Sequence, residues 1–148
     1  MKDDWTAISD IGKVYDNKKF TLSDYLLVEE KYCEAVKSMM SEVKTDSLRI
    51  KELEKNHHPS KSEEASDELK KMYDLLEEGM TISNCNVPLA VKLILRENIW
   101  AKLVSKEIEV HFGYDYYMFI CSSGPSKKSI TQITENGLFV EEMESPYL

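Results

Sequence analysis

The chain of 148 residues predicts an α+β fold, with an N-terminal helical bundle over about residues 1–105 and a small C-terminal antiparallel β-sheet over about 106–148, in a single domain. Three observations carry this expectation. Apolar residues recur at spacings of three and four from Leu22 to Val43. A second apolar run fills Val87 to Val104, and after Ser105 the hydrophobic period drops to two. With five Gly, four Pro and 42% hydrophobic residues, the composition is that of a chain able to build a core.

Taken in order, Trp5, Ile8, Ile11 and Tyr15 have helical spacing and predict a short amphipathic helix over residues 3–16. Thr21 or Ser23 opens the strongest helix, whose apolar stripe is Leu22, Tyr25, Leu26, Tyr32, Cys33, Val36, Met39, Met40 and Val43. Ile50 and Leu53 extend the stripe, so residues 21–56 are expected as one long helix, or as two that meet near Thr45-Asp46-Ser47. His57 to Ser62 reads as a loop. Ser62 is the expected N-cap of the next helix, with Glu63 and Glu64 in its first turn and Gly79 as its stop. Residues 80–86 are a connection. Pro88 suits a first helical turn, and the apolarity around residues 87–104 predicts a central helix. Ile108, Val110 and Phe112 alternate with polar residues as in a strand, and Asp115 to Cys121 is its expected hairpin partner. Residues 126–136 allow a short helix ending at Asn136-Gly137, and Leu138 to Met143 alternates as a third strand.

Composition also excludes some functions. Asp+Glu number 27 against 19 Lys+Arg, a formal charge of −8, which argues against a protein that grips a nucleic acid backbone. The first residues lack the pattern of a secretory signal, and the charges within 87–104 disqualify it as a membrane span; no membrane contact and a cytoplasmic location are expected. Cys33, Cys85 and Cys121 are odd in number and far apart, so neither a disulfide framework nor a metal site is expected. His57-His58 reads as a pair of solvated loop histidines and His111 as an exposed-face histidine; an enzymatic pairing of His111 with Asp115 has no motif behind it. No Gly-rich phosphate loop is present. The expectation is a non-enzyme without catalytic residues, cofactor or metal.

The carboxylates are unevenly placed. Residues 59–80 hold seven acidic and three basic residues, and residues 129–148 hold four acidic and none basic, so these two segments equal the whole formal charge. Such segments keep a protein soluble, or attract a basic partner and speed its arrival. Aromatics favour the second reading, because Tyr116 and Tyr117, adjacent on a strand, face opposite sides. The expected partner-binding residues are Asp115, Tyr116, Tyr117, Glu141, Glu142, Glu144 and Tyr147. Glu63, Glu64, Asp67 and Glu68 form a second candidate patch.

VHFGYDYYMFI at 110–120 and ITENGLFVEEMESPY at 133–147 resemble the end of small immunity proteins of bacterial contact-dependent growth-inhibition and polymorphic toxin systems. LILRENIW at 93–100 and DYLLVEEKYCEAV at 24–36 are similar to the same group. The resemblance implies a protein that binds and neutralises a cognate toxin domain, a basic nuclease such as a ribonuclease, one to one. It implies no direct nucleic acid contact, and it assigns no residue a role. The free chain is expected as a monomer or weak homodimer. The alternative is a helical regulatory or adaptor protein that dimerises or carries a partner helix along residues 21–56, where Met39 and Met40 would adapt to varied surfaces.

Overall fold

The computed structural model describes residues 7–59, 65–113, 118–122 and 127–141. It is α+β, but helices and strands are not segregated along the chain. A short 3-10 turn at Ile8–Asp10 leads to a hairpin of β1 (Val14–Tyr15) and β2 (Lys18–Lys19). Then follow α1 (Leu22–Glu42), β3 (Ser47–Lys55), α2 (Asp67–Leu75), β4 (Thr81–Ser83), α3 (Val87–Leu95), β5 (Ile99–Val104), β6 (Ile108–Phe112), β7 (Met118–Ser122) and α4 (Lys127–Glu135). The main sheet is antiparallel in the order β4-β3-β5-β6-β7. The expected N-terminal bundle and C-terminal sheet are therefore corrected: three of the five strands come from the part of the chain read as helical.

Each correction has a local cause. The helix expected over 3–16 gives way within the described residues to a two-residue hairpin turn, with Asp16 (φ 48°) and Asn17 (φ 64°) both left-handed. That is the turn whose twist suits a hairpin, and Asp and Asn tolerate it better than most residues. The long helix starts as expected at Thr21, whose hydroxyl accepts from the Asp24 amide (3.2 Å) while the Asp24 carboxylate accepts from the Thr21 amide (2.9 Å). It stops at Val43. Lys44 turns left-handed (φ 56°), its amide donates to the Ser41 carbonyl (3.2 Å), and the Thr45 amide donates to that of Met40 (2.9 Å). Lysine there carries the steric cost of a left-handed β-carbon. Lys44→Gly is expected to raise stability by up to about 1 kcal/mol, read as a higher urea midpoint with an unchanged m-value.

Ser47–Lys55 is a strand with a bulge. Lys51 pairs Lys102 and Glu54 pairs Trp100, so Glu52 and Leu53 share the place opposite Ala101. The bulge makes Leu48, Ile50 and Leu53 succeed one another at spacings of two and three, which imitates a helical stripe. Glu78 holds it: its carboxylate accepts from the Glu52 amide (3.0 Å) and the Leu53 amide (2.8 Å). Those two donors hold the Glu78 carboxyl below the usual glutamate range. A depressed folded-state pKa contributes stability above the unfolded value, and this is lost as pH falls through the folded one. Urea titrations of wild type and Glu78→Ala should therefore differ most near neutral pH and converge in acid, below the usual glutamate pKa of about 4.3.

The run read as one central helix divides at Arg96. Glu97 is left-handed (φ 63°); its amide donates to the Ile94 carbonyl (3.0 Å) and the Asn98 amide to that of Leu93 (2.9 Å), which closes α3. Residues 99–104 then alternate, with Ile99, Ala101 and Leu103 buried and Trp100, Lys102 and Val104 half-buried. β6 pairs with β7 as expected, residues 115–117 of the expected partner strand lying outside the described residues, and the short helix that residues 126–136 allow forms over Lys127–Glu135. Its stop falls at Asn136-Gly137 as expected, where Gly137 has φ 98° and the Leu138 amide reaches the Ile133 carbonyl (3.3 Å). The expected third strand is corrected: residues 138–141, its described part, form no strand. Helix α2 is capped by Ser66, whose hydroxyl accepts from the Leu69 amide (3.2 Å), and the residues around Ser62 lie outside the described ones. Gly79 (φ 79°) sits in the turn after the helix, which has already ended at Leu75.

The inward face of the sheet (Leu48, Ile50, Ile82, Ile99, Ala101, Leu103, Ile108, Val110 and Phe112) forms one core with Cys33, Val36, Met39 and Met40 of α1 and Val91 and Leu93 of α3. The helices pack in the sequence α2 on α3, α3 on α1 and α1 on α4. The outward face carries Arg49, Lys51, Trp100, Lys102, Glu109, His111, Phe119 and Cys121.

Candidate functional site

The C-terminal half of α1 and the helix α4 define the surface with the clearest character. Because α4 runs antiparallel to α1, Ser129 meets Ser38 and Glu42, Gln132 meets Ser38, and Asn136 meets Glu34. Glu42 accepts from the Ser129 amide (3.1 Å) and from its hydroxyl, supplying α4's first turn with a carboxylate from another helix. Ser38 donates to the Gln132 side chain (2.9 Å), and Asn136 donates to Glu34 (3.2 Å). An open groove of about 760 Å³ runs between the two helices, lined by Lys37, Ser41, Lys128 and Glu135 among others. Its inner polar groups bond one another and act as an interhelix clamp.

Lys37, Lys127 and Lys128 lie on the C-terminal half of α1 and the start of α4 together with Glu34 and Glu42, whereas Asp24, Glu29 and Glu30 lie on the N-terminal half of α1. Lys31 is the one lysine on that half of α1, and its ammonium lies 3.2 Å from where a side chain at Gly137 would begin. The chain leaving α4 thus passes Lys31 at Gly137, and its described part ends at exposed Glu141. Among the expected contact residues, Asp67 and Glu68 are exposed in the first turn of α2, at the far end of the helix order from α4. Glu63, Glu64, Asp115, Tyr116, Tyr117, Glu142, Glu144 and Tyr147 lie outside the described residues. Sequence reasoning missed the contacts of Glu34, Ser38 and Glu42 with α4, because their partners lie 87 to 102 positions away in the chain.

Beneath this surface lies a buried ion pair. Arg96 donates through Nε and a terminal nitrogen to the two oxygens of Glu29, both at 2.8 Å, with side chains 8% and 1% exposed. Lys92 reaches Glu30 at 3.6 Å, so α1 and α3 are tied twice. The Tyr25 hydroxyl is buried beside this pair without a hydrogen-bond partner among the described residues; burial, then the Glu29 charge, push its pKa up.

Candidate chemistry elsewhere is structural. His111, read as an exposed-face residue, is fully buried on the outward sheet face opposite Phe119, with Nε2 at 2.9 Å from Glu109. The mixed burial of β6 hides it, because this strand is covered on both sides at that point. His57 is exposed, while half-buried His58 meets Asp74 at 3.0 Å and packs edge-on against Tyr73, whose ring also carries the Lys55 ammonium at 4.9 Å. Cys33 is buried and its thiol is pushed up to about 12 by desolvation, while Cys85 is exposed and Cys121 half-buried. Among the described residues no group of three or more His, Cys, Asp or Glu is placed to hold a metal ion, and no helix is long and apolar enough to cross a membrane.

The fold is an α+β one in which four helices pack in the order α2, α3, α1 and α4 beside one antiparallel sheet. No known family model, curated protein or solved structure matches the chain.

Proposed function

We propose that this protein is a non-catalytic immunity protein that binds and neutralises a basic toxin domain of the nuclease class. The observation that supports it most is the formal charge of −8, which the segments 59–80 and 129–148 equal between them. A nuclease must hold a polyanion and is basic for that reason; an acidic inhibitor is attracted over roughly a Debye length, about 8 Å at physiological salt, and associates faster. The resemblance of segments 24–36, 93–100, 110–120 and 133–147 to immunity proteins points the same way.

The test is growth. The C-terminal domain of a large secreted protein encoded beside this chain is expressed in a sensitive host, with and without the chain. Restored growth together with a one-to-one complex in light scattering supports the reading; toxicity unaffected by the chain refutes it. For the adaptor reading, the expected helix over residues 21–56 ends at Glu42, and Met39 and Met40 are buried in the core.

A further inference from the structure

The main sheet has two edges, and they are guarded differently. At one edge β4 is three residues long, with Thr81 and Ser83 exposed. At the other edge β7 runs five residues, Met118 to Ser122, without a charged residue, a proline or a bulge. An edge strand usually carries one of those devices or is very short, because a straight apolar edge is a template for another strand. Among the described residues no strand pairs the outer side of β7. The ladder fixes which backbone groups point there. The Ser105 amide donates to the Ile108 carbonyl (2.8 Å), so β5 and β6 exchange hydrogen bonds at every second pair counted from that one, Leu103 with Val110 among them. The backbone groups of Val110 are thereby turned to β5, and those of Glu109 and His111 to β7, opposite Cys121 and Phe119. Ile120, between Phe119 and Cys121, directs its N–H and C=O away from the sheet. Its side chain and that of Met118 pack half-buried against the core, while Phe119 and Cys121 lie on the outward face.

We propose that the free edge of β7 seats a second copy of this chain, strand against strand, antiparallel about a two-fold axis at Ile120, so that two five-stranded sheets join into one. Charge and symmetry select this occupant. The chain carries −8, so two copies repel over most of their surfaces, whereas five uncharged residues meet themselves without that cost. A partner drawn by charge finds no carboxylate on this strand. The strand also suits itself about Ile120. Ile120 meets its counterpart in a hydrogen-bonded pair that exchanges both backbone bonds, and Phe119 meets Cys121 of the second copy in a close pair without them. The apolar inward row of Met118 and Ile120 then continues across the axis. Such a contact is isologous and closes at two copies, which leaves only the short β4 edges at the ends of the joined sheet. This inference is independent of the function proposed above.

The experiment uses the full chain in sedimentation equilibrium up to about 1 mM, a range in which millimolar dissociation constants are visible. The wild-type mass is expected to rise from 17.1 kDa toward twice that value, and added salt to raise the dimer fraction by screening the net charge. Ile120→Pro removes the outward N–H and leaves the bonds of Phe119 and Cys121 to β6, and it is expected to weaken the dimer at least about 10-fold. Phe119→Lys keeps every backbone group, places a guarding charge on the edge and is expected to weaken it as well. Thermal melts show which variants fold. Register is read by Phe119→Cys in a Cys85→Ser background. The new thiol then lies opposite Cys121 of the second copy, at the roughly 4.5 Å α-carbon spacing of a non-hydrogen-bonded pair, and a mild oxidant is expected to give a covalent dimer. The Cys85→Ser chain alone is expected to give none. A wild-type chain that stays monomeric at about 1 mM in high salt overturns the proposal. So does a dimer that the folded variants leave intact, or one that Phe119→Cys does not cross-link. If the wild-type chain is monomeric and hydrogen exchange at the Ile120 amide slows only when the toxin domain is added, the edge belongs to that partner and self-pairing is refuted.

Discussion

Replacing Arg96 with methionine is expected to lower the unfolding free energy by roughly 3–5 kcal/mol. The reason is the state of Glu29, not the loss of a contact. Glu29 is 1% exposed, and both its oxygens accept from one guanidinium. Without that partner a carboxylate stays inside the α1–α3 interface uncompensated, or takes up a proton to fold. At about 2–4 °C per kcal/mol for a chain of this length, the melting midpoint falls by roughly 6–20 °C. Two further variants separate the explanations. Glu29→Leu with Arg96→Met removes both charges and should recover most of the loss, since a buried pair and a packed apolar pair are often of similar stability. Lys102→Met releases Glu52, which is 60% exposed, and should cost no more than about 1 kcal/mol. If Arg96→Met is as mild as Lys102→Met, the interface is wetter than the geometry indicates.

Ala101→Asp is expected to abolish cooperative folding, or to cost at least about 3–5 kcal/mol, because it places an unpaired charge among buried side chains. Ala101 is fully buried between Ile99 and Leu103 on the inward face of β5. Ile99→Ala and Leu103→Ala should each cost about 2–5 kcal/mol. Lys102→Asp, one residue away on the outward face, should be far milder. This pattern distinguishes strand from helix. In a helix, residue 102 shares a face with 99 and 103, and residue 101 lies on the opposite side. Equal tolerance at 101 and 102 in urea denaturation would refute the strand.

Some of the fold is legible one residue at a time. The Thr21 cap, Pro88 in the first turn of α3, the β6 alternation and the Asn136-Gly137 stop are signals complete within four to six residues, and each is found where expected. The segments that failed share a cause. In Ser47–Lys55 an extra residue shifts the period-two pattern by one place, and the result resembles a helical stripe. In Val87–Val104 a buried helix and a buried strand adjoin, joined by the left-handed Glu97, and apolar residues on all sides erase both periods. Local pattern reports which side chains avoid water. It does not report whether neighbouring strands exist to take up the backbone hydrogen bonds.

The sequence by itself determined the α+β class, the start of the longest helix, the β6–β7 hairpin and the acidic balance of two segments, because these depend on composition and short-range contacts. Only the tertiary structure decided that α4 lies antiparallel against α1. That pairing sets Glu34, Ser38 and Glu42 against Asn136, Gln132 and Ser129. The physical reason is that these contacts join residues 87 to 102 positions apart, which become neighbours only when the core closes.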